Sequence, residues 1–219
     1  MELAPLGDSA LILRVGDSLG EVLAAVRKLE AAQLPGVAEI APAFASVAVF
    51  LDSPEYLANC VEAIPVALGG QRRAAPMSRA PHSLKVPVCY DREFALDLED
   101  VAQHCGLSPN EVVTCHAAAR YHVRCVGFTP GFPYLSGLPR VLTTPRRATP
   151  RTAVPAGSVA IAGGQAGIYP LRSPGGWNII GRTPLHLFDV TRQPAAWCVP
   201  GDRLRFVAIT REEFARWKK

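Results

Sequence analysis

Apolar positions follow two different periods in the first part of the chain. Short runs typical of β-strands occupy residues 3–6, 10–15, 37–41 and 46–51. Between the second and third runs, Val22, Val26 and Leu29 recur at helical spacing, and either Asp17 or Ser18 can cap the start of that helix. The pattern predicts two strands, a helix and two further strands.

A second helix is predicted to begin at Pro54, because proline at the first helical position forfeits no hydrogen bond. The order of elements over residues 1–68 is then ββαββα, which is typical of a small two-layer α+β domain. Residues 69–82 are rich in Gly, Pro and Arg and are predicted to be a linker.

The remaining segment, residues 83–219, is predicted to be a mainly β domain. A strand is expected at 84–90, helices at 98–105 and 109–118, and a short terminal helix after the capping box that begins at Thr210. The other β-type runs are short and separated by turns: 121–126, 158–162, 177–180, 186–190 and 203–209. Many short strands between dense turn signals indicate a barrel or a sandwich.

Composition narrows the class of protein. A hydrophobic fraction of 49% with 19% charged residues indicates a packed core, and the net charge of +4 comes with no basic run interleaved with aromatics, so no nucleic-acid partner is expected. The amino terminus lacks a secretory pattern, and no apolar run reaches the roughly 20 residues of a membrane helix. We therefore expect a cytoplasmic protein without a membrane partner, whose six scattered cysteines are reduced.

The most informative feature is a lattice of Gly, Pro and aromatic residues over 127–185. Glycine permits tight turns and proline stiffens them, so the lattice is predicted to be a rigid binding surface that exposes backbone N–H groups. Four of its aromatic residues, Phe128, Phe132, Tyr134 and Trp177, belong to the core, line a cleft or anchor a partner subunit, and Tyr169 is expected to bind the substrate.

Several familiar chemical sites are excluded. Gly16-Asp17-Ser18-Leu19 has the form of a lipase-like nucleophile motif, but the required Asp-x-x-His is missing and a turn with a helix cap explains it. No Lys follows Gly, so there is no P-loop for ATP. The Cys and His residues between 105 and 125 lack zinc-ligand spacing, and no metal is predicted.

Polar side chains in or beside the lattice are the candidates for chemistry. The Gln165 amide can donate to and accept from an amide substrate, and Arg182, held by short rigid flanks, can bind a carboxylate or phosphate. Arg147 and Arg151 are either similar anion-binding groups or solvated surface charges. His116 precedes the strand that leads into the lattice, and we place it either at the mouth of the site or in a structural role.

Four stretches of the chain carry a family resemblance: Pro5-Leu6-Gly7-Asp8-Ser9-Ala10, Val86-Pro87-Val88-Cys89-Tyr90-Asp91, most of residues 127–189, and Pro200-Gly201-Asp202-Arg203-Leu204-Arg205-Phe206. Taken in order they resemble the family of 5-oxoprolinase B subunits, also called KipI-like or allophanate hydrolase subunit 1. The resemblance implies a cyclophilin-like β-barrel after the small α+β domain. It further implies a heteromeric enzyme in which this chain, a C subunit of homologous fold and an A subunit open 5-oxo-L-proline to L-glutamate with ATP.

Such a reaction requires fixed donors for the negative charge that develops when the lactam opens. The donors expected here are the Gln165 and Arg182 side chains together with four backbone N–H groups, those of Gly163, Gly164, Gly175 and Gly176. They would form part of a site shared with the C subunit. Two other functions stay open for this family: a carboxyltransferase-related or allophanate-hydrolase-related role on urea derivatives, and KipI-like inhibition of a sensor histidine kinase.

The donor assignment makes a first prediction. Gln165→Ala and Arg182→Ala should each impair the assembled enzyme and leave the fold intact, since each removes a donor without removing core volume. Activity assays of the complex, with circular dichroism as the control for folding, test it. Full activity in both variants would remove these two residues from the site.

Overall fold

The structure, a computed structural model, describes residues 2–70 and 81–217 of the chain. The chain divides into two compact units, Met1–Ala80 and Pro81–Lys219. Most of the linker predicted at 69–82 lies outside the described residues, and Gly69 is the last residue of a helix.

The first unit has the predicted ββαββα order. Its strands form one antiparallel sheet in the order β1-β2-β4-β3. The elements are β1 (Glu2–Pro5), β2 (Ala10–Arg14), α1 (Leu19–Ala32), β3 (Val37–Pro42), β4 (Ser46–Leu51) and α2 (Leu57–Gly69). Ser18 caps α1 with a capping box: its hydroxyl accepts a hydrogen bond of 3.3 Å from the Glu21 N–H, and the Glu21 carboxylate accepts one from the Ser18 N–H. Leu11, Leu13 and Val22 are fully buried between the sheet and the helices.

The second unit contains nine strands and three helices among its described residues. The elements are β5 (Ser83–Val88), α3 (Leu98–Cys105), α4 (Pro109–Ala118), β6 (Tyr121–Val126), β7 (Pro133–Ser136), β8 (Arg151–Val154), β9 (Ser158–Ala162), β10 (Gln165–Ile168), β11 (Ser173–Gly175), β12 (Asn178–Arg182), β13 (Arg203–Ala208) and α5 (Arg211–Arg216). Helices α3 and α4 have the predicted bounds, and the predicted terminal helix is confirmed as α5.

Seven of these strands form one sheet in the order β12-β9-β10-β7-β6-β13-β5, in which only β5 and β13 run parallel. The two edges meet at Cys89 and Arg182, whose backbones exchange N–H···O bonds of 2.8 and 2.9 Å. Gly181 lies at this junction, where a Cβ would be 2.6 Å from Val88 Cγ1, so only glycine lets the edges come this close. The sheet is therefore a nearly closed barrel, which confirms the predicted fold class.

Two features of the second unit differ from the sequence-based prediction. Residues 186–190 are not a strand: Phe188 makes a single bridge to Ala196, and Asp189 Oδ1 accepts the Thr191 N–H at 2.9 Å, which turns the chain. The strand predicted there is wrong. Conversely, four strands inside the lattice, β7, β8, β10 and β11, were not predicted, because each has only three or four residues.

Within residues 2–70 and 81–217, no helix is both long and apolar enough to span a lipid bilayer.

Candidate functional site

One cavity of the second unit, about 170 Å³ in volume, is lined almost entirely by the Gly/Pro/aromatic lattice. We call it the aromatic cavity. Its lining residues are Phe128, Phe132, Tyr134, Arg146, Arg147, Pro150, Tyr169, Gly175, Gly176 and Trp177. A larger cavity of about 630 Å³ lies beside α1 and α2 in the first unit. Its one lysine, Lys28, already donates to the Leu68 carbonyl, so this cavity offers fewer free polar groups to a ligand.

Edge-to-face contacts hold the aromatic rings in place. Phe132 is only 2% exposed and meets Tyr169 at 5.1 Å and Trp177 at 5.6 Å between ring centroids, with interplanar angles of 82° and 89°. Two glycines make room for these rings. A Cβ on Gly167 would lie 2.7 Å from Phe132 Cζ, and one on Gly175 would overlap the Tyr169 hydroxyl. The cavity wall is therefore rigid.

Phe128 is held at the rim of the aromatic cavity in an uncommon backbone conformation. Its φ is +68°, and the Thr129 N–H donates to the Gly127 carbonyl at 2.8 Å, which closes a γ-turn around Phe128. The ring is 61% exposed and meets Phe132 at 5.6 Å and Tyr169 at 6.5 Å. Backbone strain of this kind costs about 1–3 kcal/mol and clusters at ligand-binding sites.

Asp97, just before α3, organises the arginines next to the cavity. Its side chain is 1% exposed and accepts two bonds of 2.8 Å from the Arg151 guanidinium, one from Arg147 Nη1, and one of 2.7 Å from the Ile179 N–H. The hydrogen bonds that Arg151 donates to Asp97 raise the pKa of the Arg151 guanidinium. The carboxylate that Arg147 and Arg151 bind is thus an internal one, and Asp97 was not among the predicted residues.

The Tyr169 hydroxyl is a neutral hydrogen-bonding group at the cavity wall. Burial raises its pKa, so the hydroxyl stays protonated at neutral pH. A protonated hydroxyl on the cavity wall can donate to a ligand acceptor.

Seven of the predicted site residues come together in this cavity: Phe128, Phe132, Arg147, Tyr169, Gly175, Gly176 and Trp177. Tyr134 also lines the cavity, as the cleft alternative for the aromatic residues requires. Arg146 lines it too and was missed, because nothing in the local sequence separates it from the neighbouring arginine.

Four other predicted residues lie elsewhere in the barrel. Gly163 and Gly164 form the turn between β9 and β10, and the Gly163 N–H is not a free donor because it bonds to the Thr144 carbonyl at 2.7 Å. Gln165 follows them, half-buried at the start of β10. Arg182 lines a separate cavity of about 390 Å³, where its Nε donates to the Ala156 carbonyl at 2.8 Å.

His116 is a core residue and does not lie at the mouth of a cleft, so that placement is wrong. It is 0% exposed, stacks on Phe206 at 4.3 Å between ring centroids, and shares a 2.8 Å hydrogen bond between Nδ1 and the Tyr90 hydroxyl. Burial lowers its pKa to about 3. The ring packs α4 against β13 in its neutral form.

This burial predicts an acid-dependent loss of stability. The unfolded chain takes up a proton near pH 6.5, whereas the folded chain does so only near pH 3, so protons favour unfolding between these values. We expect His116 to contribute a loss of about 2 kcal/mol in the free energy of unfolding between pH 7 and pH 5. Urea denaturation at the two pH values measures it. His116→Phe should remove this contribution, whereas replacement of the exposed His104 by Gln should not; an unchanged pH dependence in His116→Phe would contradict the assignment.

None of the six cysteines, all of which lie in the described residues, forms a disulfide bond. In the part of the chain that the structure describes, no group of three or more His, Cys, Asp and Glu side chains could hold a metal ion.

Comparison with known proteins identifies the class to which this barrel and cavity belong. Residues 1–198 match the family described as carboxyltransferase domain, subdomain C and D. The particular family follows from a protein of Bacillus subtilis (strain 168) named as the B subunit of 5-oxoprolinase, which is 38% identical over 232 residues, covering 100% of this chain and 97% of the relative. The chain belongs to the family of 5-oxoprolinase B subunits.

Solved structures share the fold. The crystal structure of TTHA0988 is 35% identical with a TM-score of 0.77, and the match covers 92% of this chain but only 40% of that one. The urea amidolyase of K. lactis has a TM-score of 0.76 at 20% identity, over 97% of this chain and 15% of that one, which is a likeness of fold alone.

Proposed function

We propose that this chain is the B subunit of an ATP-dependent 5-oxoprolinase, and that its aromatic cavity binds 5-oxo-L-proline. The full-length similarity to a 5-oxoprolinase B subunit supports the enzyme, and the cavity supports the site. The observation that carries the site assignment is the convergence of five aromatic rings and two arginines around a volume of about 170 Å³.

The size and chemistry of the cavity suit a small cyclic amide. Pockets for drug-sized ligands occupy about 300–1,000 Å³, so this cavity accepts only a smaller molecule. A five-membered lactam presents apolar ring faces to Phe132 and Trp177, and its carbonyl is an acceptor for the Tyr169 hydroxyl. When the ring opens, negative charge develops on that oxygen, and a fixed neutral donor stabilises it.

ATP does not fit the aromatic cavity, because that cavity is too small and the chain has no P-loop. We assign ATP to a partner and give this chain the binding and orientation of the lactam. The partners in this proposal are a C subunit of homologous fold, which completes the site, and an A subunit. ATP-dependent chemistry favours the cytoplasm as its location.

Reconstitution with the two partner subunits tests the function. We expect 5-oxo-L-proline-dependent ATP hydrolysis and L-glutamate formation only when all three subunits are present. The same assay tests Gln165→Ala and Arg182→Ala, two residues that the structure places outside the aromatic cavity, and full activity in both variants would leave that cavity as the site. ATP hydrolysis that is independent of 5-oxo-L-proline, or unchanged when this chain is omitted, would contradict the proposal.

A second candidate is a carboxyltransferase-related function on urea derivatives, which the description of the matching family favours. The same reconstituted preparation decides between the two. Activity with a urea derivative and none with 5-oxo-L-proline would support the second candidate.

A further inference from the structure

We propose that Arg146 binds the carboxylate of the ligand in the aromatic cavity, and that Arg147 and Arg151 are positioning residues that do not touch it. This inference rests on the proposed function and names the group that selects the substrate at the same site.

Arg146 and Arg147, the two arginines that line the cavity, differ in whether their guanidiniums already have a hydrogen-bond partner within the protein. The Arg147 guanidinium bonds to Asp97, and its backbone N–H donates to the Gly176 carbonyl at 2.8 Å. Arg146 is exposed and has no hydrogen bond or ion pair with any residue of 2–70 or 81–217. Of the two, only Arg146 has its whole donor fork available to a ligand.

The charge of Arg146 acts inside the cavity as well as at the surface. Burial raises the pKa of Tyr134 and of Tyr169, and the positive charge of Arg146 counteracts part of the rise in both. Arg146 and both tyrosines line the same cavity, so a ligand there lies within reach of the guanidinium.

The local charge balance calls for an anion. Asp97 supplies one negative charge to two arginines, and none of the residues that line the cavity is acidic. Asp100 adds a second negative charge close enough to raise the pKa of Arg151, so the three arginines exceed the two carboxylates by one positive charge, and Arg146 is the arginine without an ion pair in the described part of this site. A single carboxylate on Arg146 reduces that excess and forms charge-assisted hydrogen bonds.

The three features together define the ligand class. The rings accept a flat apolar body, the Tyr169 hydroxyl donates to a carbonyl, and Arg146 binds a carboxylate. The cavity volume of about 170 Å³ limits the whole to a small molecule. A monoanionic lactam carboxylate satisfies all three, whereas 2-pyrrolidinone, the same ring without the carboxylate, satisfies only two.

Calorimetry on the assembled complex tests the assignment with both compounds. We expect Arg146→Ala to weaken 5-oxo-L-proline binding by about 10- to 100-fold, the loss of a charge-assisted hydrogen bond, and to leave 2-pyrrolidinone binding unchanged. Arg146→Lys should recover part of the affinity, because it restores the charge but not the planar fork. Arg140→Ala, an exposed arginine outside the cavity, is the control and should bind both compounds like the wild type.

Steady-state kinetics separate binding from chemistry. Arg146→Ala should raise KM for 5-oxo-L-proline by a similar factor with a much smaller change in kcat, because the carboxylate is bound equally before and during ring opening.

The outcomes distinguish this inference from the function on which it rests. Equal 5-oxo-L-proline affinity in Arg146→Ala and wild type overturns the inference alone, and so does an equal loss of both compounds, which would indicate a structural role. A wild-type complex that binds 5-oxo-L-proline without hydrolysing it overturns the proposed function alone. A wild-type complex that binds none overturns both.

Discussion

Asp97→Ala is expected to lower the free energy of unfolding of the second unit by about 3–5 kcal/mol, the usual cost of breaking a buried ion pair by removing one partner. The substitution leaves the Arg147 and Arg151 guanidiniums without their shared carboxylate, and it leaves the Ile179 N–H without its acceptor. The Ile179 N–H lies near the start of β12, directly after Trp177. The substitution therefore removes both the ion pairs and the hydrogen bond that holds this part of the cavity wall.

Urea denaturation followed by tryptophan fluorescence measures this loss, because Trp177, Trp197 and Trp217 all lie in the second unit. The matched control is Glu93→Ala, which breaks an ion pair of 2.6 Å with Arg211. In this pair the Glu93 side chain is 45% exposed and the Arg211 side chain is 64% exposed. A pair so open to solvent contributes less than about 1 kcal/mol. Asp97→Asn, which keeps an acceptor but not the charge, should fall between the two. If Asp97→Ala cost no more than the control, the four bonds at Asp97 would not be an organising interaction.

Gly175→Ala is expected to reduce kcat/KM of the assembled enzyme by roughly 10²-fold, as displacement of an active-site group by about 1 Å can do. The new Cβ would overlap the Tyr169 hydroxyl and lie 2.7 Å from its Cζ. Tyr169 is 1% exposed, packs against Phe132 and lines the cavity, so a shift of its ring to accommodate the new methyl group changes the shape of the ligand site.

Gly176→Ala is the matched comparison. A Cβ there would lie 3.5 Å from Pro150, an ordinary van der Waals contact, so the loss of activity should be far smaller. The double variant Gly175→Ala/Tyr169→Phe should recover only part of the packing, because the ring carbons remain close to the new methyl group. Comparable activity in Gly175→Ala and Gly176→Ala would show that Tyr169 is not confined as described.

Local signals in the sequence were sufficient for most helices and for the first unit. The capping boxes at Ser18, Ser108 and Thr210 each place the start of a helix, because serine or threonine and a glutamate three residues later satisfy the first free N–H groups within one turn. Short apolar runs placed the strands of the first sheet to within a residue or two. None of these features needs a partner from elsewhere in the chain.

The short strands of the lattice required the tertiary structure. β8 and β11 have four and three residues and pair with each other, and β10 joins β7 and β9 inside the barrel. Runs this short carry almost no periodicity, so only pairing across the sheet distinguishes them from the turns around them. The segment 186–190 shows the reverse case, because a run predicted to be a strand makes only one isolated bridge and remains a loop.

By itself, the sequence determined that glycines, prolines and aromatic rings are concentrated between residues 127 and 185, and from that concentration it predicted a rigid binding surface. Only the tertiary structure decided which polar groups lie beside this surface. Asp97 does so because its hydrogen-bond partners are 50, 54 and 82 residues away in the chain, whereas His116 is buried in the core. The physical reason is distance along the chain. Turn and helix preferences act between neighbours, whereas burial and the choice of an ionic partner depend on which distant segments the barrel brings together.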